Sequence, residues 1–332
     1  KDSSANIIYD TERISVVGIF EVLSKYVEIT KALKIAKDHI NKTRPDVIIL
    51  VDYVEFNLKI AKFAKSLGLR VIFYVAPQLW AWRENRARNL VENIDQLAVI
   101  FPFEEKFFKK YTSNVVYVGH PLFENQHLME SLKDYDDREI DLGIFPGSRE
   151  SEIKNNIYSM LDCIQKNKKE NIKIFYANQI SQDYLIKLLP EEYHSMLESG
   201  RDLDKVSSCK KALCASGTMT LELTILEVPM VVMYRLSYLT YFIMKSLVKL
   251  KHIGLVNLVL GEEIGSRPVV KEYIQPSYSD QVDIMVELNK IDNDQIYRDK
   301  LSKHFKEIKD KLSTKSKYKL KDIAESILKT NE

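Results

Sequence analysis

The stretch from residue 47 to residue 75 decides the fold class. It reads VIILV at 47–51, has an amphipathic pattern at 59–67, and reads VIFYV at 71–75. Short β-rich runs on either side of a helical pattern are typical of two parallel strands joined by a crossover helix. Further apolar runs continue the alternation at 97–101 and 115–118. The pattern predicts a parallel sheet covered by helices.

A second series of the same kind follows. Its predicted strands lie at 141–145, 172–176, 212–215 and 229–233, with helices at 151–166 and in the tail from 294 to 329. Residues 130–140 between the two series are polar and acidic, which is typical of a linker. We therefore expect two doubly wound, Rossmann-like α/β domains, 1–137 and 138–332, facing a cleft at the carboxyl ends of their strands. We also expect the last helix to pack back on the first domain.

The composition argues against several classes of protein. The 332 residues include 49 Lys and Arg against 47 Asp and Glu, a net charge of +2 that argues against a dedicated nucleic-acid binder. The three cysteines have neither metal nor disulfide spacing, which favours a reducing cytosol. No uncharged apolar run reaches the roughly 18–20 residues that a membrane span needs.

Residues 145–149 (FPGSR) carry the strongest local signal. A strand ends, a Pro-Gly turn follows and a helix begins, so backbone N–H groups at Gly147 and Ser148 are available to an anion. Arg149 adds a charged donor. The alternative is a capped helix with a surface arginine.

Residues 215–222 (ASGTMTLE) have the same design. Ser216, Gly217 and Thr218 would bind a diphosphate through their amides, and Glu222 would accept hydrogen bonds from ribose hydroxyls. The alternative is an ordinary turn with a solvated glutamate. Two such motifs in one domain favour a nucleoside-diphosphate pocket. Neither motif has the spacing of an ATPase phosphate loop or of a dinucleotide-binding loop, and we expect no metal and no cofactor.

Asp52 follows the strand at 47–51, where a carboxylate would reach the cleft as a general base. The alternative is a helix N-cap. Glu55 and Asn57 follow on the same segment and are further cleft candidates.

Three more cleft candidates have structural alternatives. Trp80 and Trp82 follow the strand at 71–75 and either line the cleft or pack against the next helix. His120 also ends a strand, where a hydrogen-bonded loop histidine is the commoner case.

Two amphipathic segments combine apolar, aromatic and basic residues and are candidates for contact with a membrane surface. The residues concerned are Val22, Leu23 and Tyr26 in the first segment, and Tyr241, Phe242, Lys245 and Lys249 in the second. For each segment, a helix that faces the core is the alternative.

In order, these motifs resemble the lipid-A-disaccharide synthase family of GT-B glycosyltransferases. The resemblance is collinear and is carried by VGIFEVL (17–23), RPDV (44–47), VDYVEFN (51–57), YVAPQLWAWR (74–83), FPFE (101–104), YVGHP (117–121), FPGSR (145–149), ASGT (215–218), PMVV (229–232) and GLVNL (254–258). It implies an inverting transfer of 2,3-diacylglucosamine from UDP-2,3-diacylglucosamine to 2,3-diacylglucosamine 1-phosphate (lipid X). The products would be a β(1→6) disaccharide and UDP.

The resemblance also assigns residues and partners. It implies that Asp52 is the base, that Arg149, Glu222 and Asn257 are functional, and that the protein forms a homodimer. It implies a cytoplasmic protein bound peripherally to the anionic surface of the inner membrane.

This chain departs from the family pattern at Val54, Glu55 and Val256, where the family has Pro, Asp and Pro. The family's opening Gly-Glu-x-Ser-Gly-Asp loop would precede Lys1, so we expect a fragment of a longer enzyme. Two alternatives stay open. One is another UDP-sugar enzyme, either an epimerase or a lipid-linked N-acetylglucosaminyltransferase. The other is a non-catalytic remnant that binds UDP or a membrane.

Overall fold

The structure, a computed structural model, describes residues 6–10, 25–82, 84–164, 171–236, 252, 254–260, 268–313 and 319–329. The chain divides into two compact units, Lys1–Gly119 with Ser316–Glu332, and His120–Lys315. The boundary predicted after residue 137 falls inside the second unit.

The described residues of the first unit form a four-stranded parallel sheet in the order β1-β2-β3-β4. Its strands are β1 Val47–Val51, β2 Arg70–Tyr74, β3 Gln96–Val99 and β4 Val115–Tyr117. Its helices are α1 Tyr26–Thr43, α2 Val54–Ser66, α3 Leu79–Trp82, α4 Ala87–Val91 and α5 Pro102–Phe108, with a 3-10 turn at Glu84–Arg86. Phe73, Leu90, Leu97 and Phe108 are fully buried at its centre, as the continuous apolar strands predict.

The described residues of the second unit form a six-stranded parallel sheet in the order β7-β6-β5-β8-β9-β10. The strands are β5 Leu142–Phe145, β6 Ile172–Tyr176, β7 Leu197–Ser199, β8 Ala212–Cys214, β9 Met230–Tyr234 and β10 Glu272–Ile274. In chain order this arrangement is 3-2-1-4-5-6, so the winding reverses between β5 and β8. Such a reversal opens a crevice at the carboxyl ends of the two strands.

The helices of the second unit are α6 Gln126–Glu130, α7 Glu150–Ile164, α8 Gln182–Leu188, α9 Leu203–Ser207, α10 Met219–Ile225, α11 Leu255–Leu260, α12 Tyr278–Asn293 and α13 Gln295–Leu312. Short 3-10 turns lie at Pro121–Glu124, Tyr135–Asp137 and Glu191–Met196. The last helix, α14 Leu320–Lys329, belongs to the first unit and contacts β1 and β2.

The predicted α/β class with two Rossmann-like parallel sheets is confirmed, and the described strands show the reversed order of a doubly wound sheet in the second unit. The strands predicted at 47–51 and 172–176 coincide with β1 and β6, and the other predicted strands agree to within a few residues. β7 (LES) and β10 (EYI) were not predicted, because each has only three residues and carries a glutamate. The three cysteines are free and buried, and burial raises the pKa of the Cys209 thiol to about 12.

Residues 130–140 do not form the linker that their composition predicts. Arg138 is only 4% exposed. Its guanidinium donates hydrogen bonds to the carbonyl oxygens of Lys133 at 2.8 Å, Cys209 at 3.2 Å, Leu226 at 3.1 Å and Glu227 at 3.2 Å. These carbonyl acceptors satisfy the buried cation, so a segment that looks solvated in sequence is packed into the second unit.

Within the part of the chain that the structure describes, no helix is both long and apolar enough to cross a membrane. Six of the predicted membrane-contact residues lie outside the described residues: Val22, Leu23, Tyr241, Phe242, Lys245 and Lys249.

Candidate active site

A cavity of about 370 Å³ lies in the second unit at the carboxyl ends of β5, β6 and β8. This is the crevice that the reversed strand order creates. Seven of the residues predicted to bind the donor line it: Gly147, Ser148, Arg149, Ser216, Gly217, Thr218 and Glu222. The two motifs, about 70 residues apart in sequence, thus meet in one cavity because β5 and β8 are adjacent strands.

The loop after β5 already holds a carboxylate of the protein. Glu152 reaches back from the first turn of α7 and accepts hydrogen bonds from the backbone N–H of Ser148 at 2.9 Å and from the Arg149 guanidinium at 2.7 Å. Gly147 has a φ of +129°, and a Cβ there would lie 2.7 Å from the Cβ of Glu152. Only glycine therefore allows the loop to close around this carboxylate. Our sequence reading missed Glu152, although its i+3 position from Arg149 was a usable signal.

Two amides brace the same loop. The buried Asn156 donates to the Pro146 carbonyl at 2.9 Å and accepts from the backbone N–H of Arg235 at 2.7 Å. Gln179, at the end of β6, donates to the Ser148 carbonyl at 2.7 Å and lines the cavity. The loop after β5 is thus preorganised by side chains from two other segments.

The loop after β8 is open by contrast. Gly217 has a φ of +152°, and no heavy atom lies within 4 Å of the position a Cβ would take. Thr218 begins α10 without a side-chain cap. In the described part of the chain, the backbone N–H groups of Ser216 and Gly217 have no hydrogen-bond partner. This loop can therefore offer its amides to a bound group.

Glu222 lies one turn inside α10 and lines the cavity. Burial raises the pKa of its carboxyl group. Among the described residues its carboxylate has no hydrogen-bond partner. A half-buried acceptor without a partner favours a ligand that supplies hydroxyl donors.

Asn257 lies outside this cavity. It is 1% exposed, and its amide donates to the Val270 carbonyl at 2.9 Å and to Glu272, while its oxygen accepts from the backbone N–H groups of Val269 at 2.7 Å and Val270 at 3.0 Å. Two donated and two accepted bonds use the whole hydrogen-bonding capacity of the side chain. Its predicted role as a donor contact stays a prediction, and the geometry favours a positioning role for the segment that leads into β10.

Asp52, in the first unit, follows β1 in a left-handed backbone conformation. Asp52 and Tyr53 have φ values of +48° and +38°. Asn57 holds this turn by donating to the carbonyl oxygens of Val51 at 3.0 Å and Asp52 at 2.7 Å. The Asp52 side chain is exposed, and its carboxylate has no partner among the described residues. The carboxylate is therefore open to a ligand that donates a hydrogen bond.

A largely apolar cavity of about 490 Å³ adjoins Asp52. Apolar residues from α1, α2 and the segment after β2 line it: Tyr26, Ile29, Leu33, Phe56, Pro77 and Leu79. Glu55 lies at its wall in an ion pair with Arg86. Apolar walls beside the exposed Asp52 carboxylate suit a ligand with a hydrocarbon part and a reactive polar group.

Trp80 is held by a buried carboxylate. Its indole N–H donates to Glu104 at 3.2 Å, and its ring meets Phe103 edge to face at a centroid distance of 4.9 Å. Glu104 is 1% exposed and also accepts from the backbone N–H groups of Ile100 and Phe101. Burial raises the pKa of Glu104 to about 7, against these hydrogen bonds, which lower it. The contacts favour a structural role for Trp80; the side chain of Trp82 lies outside the described residues.

His120 is 6% exposed and accepts a hydrogen bond on Nδ1 from the backbone N–H of Leu122 at 3.3 Å. Burial lowers its pKa to about 4, so the imidazole is neutral near pH 7. This arrangement matches the alternative of a loop histidine. The described residues include no group of three or more His, Cys, Asp or Glu side chains that could hold a metal ion.

Comparison with known proteins places this geometry in a family. The family model for lipid-A-disaccharide synthetase matches residues 1–327. The chain is 34% identical over 335 aligned positions to the lipid-A-disaccharide synthase of Nitrosococcus oceani, covering 97% of this chain and 84% of the relative. It is 32% identical to the enzyme of Geobacter sulfurreducens, covering 95% and 83%.

Among solved structures, the fold is similar to that of the glycotransferase of kitacinnamycin, with a TM-score of 0.56 at 14% identity over 94% of this chain and 84% of the other. That likeness supports the GT-B fold alone. The chain belongs to the lipid-A-disaccharide synthetase family and is a GT-B glycosyltransferase of lipid A synthesis.

Proposed function

We propose that this protein transfers 2,3-diacylglucosamine from its UDP donor to lipid X, with inversion at the anomeric carbon. The observation that carries the proposal is the cavity at the strand-order reversal. It combines an open loop of amides, the Arg149 guanidinium and the unpartnered Glu222 carboxylate. A nucleoside diphosphate supplies the matching groups, since it has two phosphates and a ribose with hydroxyl donors.

In the proposed reaction, Asp52 removes the proton from the acceptor 6-hydroxyl as that oxygen attacks the anomeric carbon of the donor. The new C–O bond forms as the bond from the anomeric carbon to the diphosphate breaks, and UDP leaves with the electron pair. A positioned base contributes about 10²–10⁴-fold to such a step. Backbone amides and Arg149 stabilise the charge that develops on the leaving UDP.

The apolar cavity beside Asp52 supports an acylated acceptor. Its walls match acyl chains, and Asp52 supplies the one carboxylate needed at the sugar hydroxyl. A soluble-sugar acceptor would leave these walls without a partner.

A direct test of the reaction measures the transfer of 2,3-diacylglucosamine from its UDP donor to lipid X. A separate test measures the melting temperature of the protein with and without UDP. UDP should raise the melting temperature, because a ligand that binds only the folded state stabilises it. Arg149→Ala should remove most of that shift, whereas Lys187→Ala, an exposed cation of the same unit outside the cavity, should not. EDTA should leave the shift unchanged. No UDP shift in the wild type, or one that needs magnesium, would contradict the proposal.

The acylated substrates would reside in a bilayer, so we also propose reversible binding to an anionic membrane surface. Tyr26 and Val27 begin α1 with 62% and 78% exposure, and Tyr26 lines the apolar cavity. A Tyr26→Ser, Val27→Ser double variant should float less with anionic liposomes than the wild type. Ile296→Ser, which changes an 83% exposed apolar residue of the second unit, is the control. Equal flotation of the double variant and the wild type would refute contact through α1.

A further inference from the structure

Glu152 places a negative charge inside the cavity that we propose for a polyanion. Its carboxylate is 15% exposed, and it holds the Arg149 side chain, which is 53% exposed, at 2.7 Å. It also accepts from the Ser148 backbone N–H at 2.9 Å. These are the cation and the amide that the loop after β5 would offer to a phosphate.

One anion at this loop excludes another. A phosphate that binds Arg149 and the Ser148 amide meets the carboxylate oxygens that already occupy these donors. In a half-buried site, two like charges at hydrogen-bond distance repel strongly because solvent screens them less than on an open surface. A ligand phosphate must therefore displace the carboxylate of Glu152 from Arg149, or bind at the loop after β8 without a bond to Arg149.

We infer that Glu152 is an internal competitor for the diphosphate. This inference rests on the proposed function and assigns a role to a residue inside the same cavity. When the cavity is empty, Glu152 holds Arg149 and the loop after β5 in place. When a nucleoside diphosphate binds, Arg149 moves from Glu152 to the ligand. Glu152 thereby weakens the binding of free UDP and favours release of this product.

Calorimetric titration of UDP and of uridine into Glu152→Gln tests the inference. The glutamine still accepts from the Ser148 N–H but carries no charge. We expect UDP to bind about threefold to tenfold more tightly, the range that a partly exposed ion pair with Arg149 allows. Uridine, which has no phosphate, should bind with unchanged affinity.

Glu150→Gln is the matched control. Glu150 lies in the same first turn of α7, is exposed and does not line the cavity. The Glu150→Gln variant removes the same charge from the same helix end. Of the two glutamates, Glu152 is the one that bonds Arg149. We expect a change of less than about twofold in UDP affinity, since only the screened field of the helix end changes. The Glu152→Gln gain should also shrink when Arg149 is alanine, because only the charge repulsion and the Ser148 amide contact then remain.

Three results would overturn the inference: unchanged or weaker UDP affinity in Glu152→Gln, an equal gain for UDP and uridine, or a gain that is undiminished in the Arg149→Ala background. If the glutamine variant fails to fold, the UDP affinity of Glu152→Asp is the second test. Its shorter side chain keeps the charge but withdraws it from Arg149, so UDP should again bind more tightly, and weaker binding would overturn the inference. A wild type that does not bind UDP at all would refute the proposed function instead.

Discussion

The strand ends beside the two cavities turn in different ways. In the second unit, the loops after β5 and β8 turn at Gly147 and Gly217, with φ values of +129° and +152°. In the first unit, the segments after β1 and β2 turn at Asp52, Tyr53 and Val75, with φ values of +48°, +38° and +63°. Glycine adopts such conformations freely, whereas each residue with a side chain costs roughly 1–3 kcal/mol there.

This difference indicates two uses of the carboxyl ends of parallel strands. Glycines keep the ends of β5 and β8 bare, so that backbone amides can face a phosphate. The first unit keeps side chains at the ends of β1 and β2 despite the strain, and Asn57 holds the turn that presents Asp52. The result is a carboxylate beside an apolar wall. Backbone strain of this kind is retained mainly at functional sites. Substitutions at Asp52, Glu104 and Asn57 test this account of the first unit.

The largest effect is expected at Asp52. Asp52→Asn preserves the shape of the side chain but removes the base, so turnover should fall about 10²-fold or more. UDP affinity should stay within about twofold of the wild type, because the proposed nucleotide cavity lies in the other unit. Initial rates of disaccharide formation and UDP titration measure the two effects. Asp46→Asn, just before the opposite end of β1, is the control, and near-wild-type turnover in Asp52→Asn would rule out Asp52 as the base.

The next effect concerns pH and the buried Glu104. Burial raises the pKa of Glu104 from 4.5 to about 7, so between these values the folded state holds a proton that the unfolded state has released. The free energy of unfolding should therefore fall by about 3 kcal/mol as pH rises from about 4.5 to 7. Glu104→Gln stays neutral and should lose this fall, as measured by urea unfolding across that range.

A second variant checks the cause of this pH effect. Trp80→Phe removes a hydrogen bond that favours the ionised carboxylate, and should extend the fall to higher pH without changing where it begins. Identical pH profiles for Glu104→Gln and the wild type would show that Glu104 ionises alike in the folded and unfolded chain.

The smallest effect tests the strained turn. Asn57→Ala removes two hydrogen bonds to the carbonyl oxygens of Val51 and Asp52, and should lower the free energy of unfolding by about 2 kcal/mol. Turnover should fall with it, while UDP affinity should not. Asn93→Ala also removes an amide-to-carbonyl bond, but on an exposed helix end, and should cost less than about 0.5 kcal/mol. Equal costs for the two variants would show that the turn does not depend on Asn57.

The features that could be predicted from the sequence are local. Strands β1 and β6 follow from runs of apolar residues, and the loops after β5 and β8 follow from glycines at strand ends. Long-range contacts could not be predicted this way. Glu104 bonds Trp80 across 24 positions, and Arg138 bonds Leu226 across 88. The role of Asn257 as a donor contact is implied by the family resemblance and stays a prediction, because its sequence context does not reveal that its amide bonds the backbone of its own chain.

Amide hydrogen exchange with and without UDP tests the central claim most directly, namely that the cavity between the loops after β5 and β8 holds the UDP group. UDP should slow exchange in peptides that cover residues 215–222 and 145–153, because its phosphates and ribose occupy these loops. Peptides that cover α1 and β1 serve as the internal comparison and should not change. Protection confined to the first unit, or none at 215–222, would contradict the account.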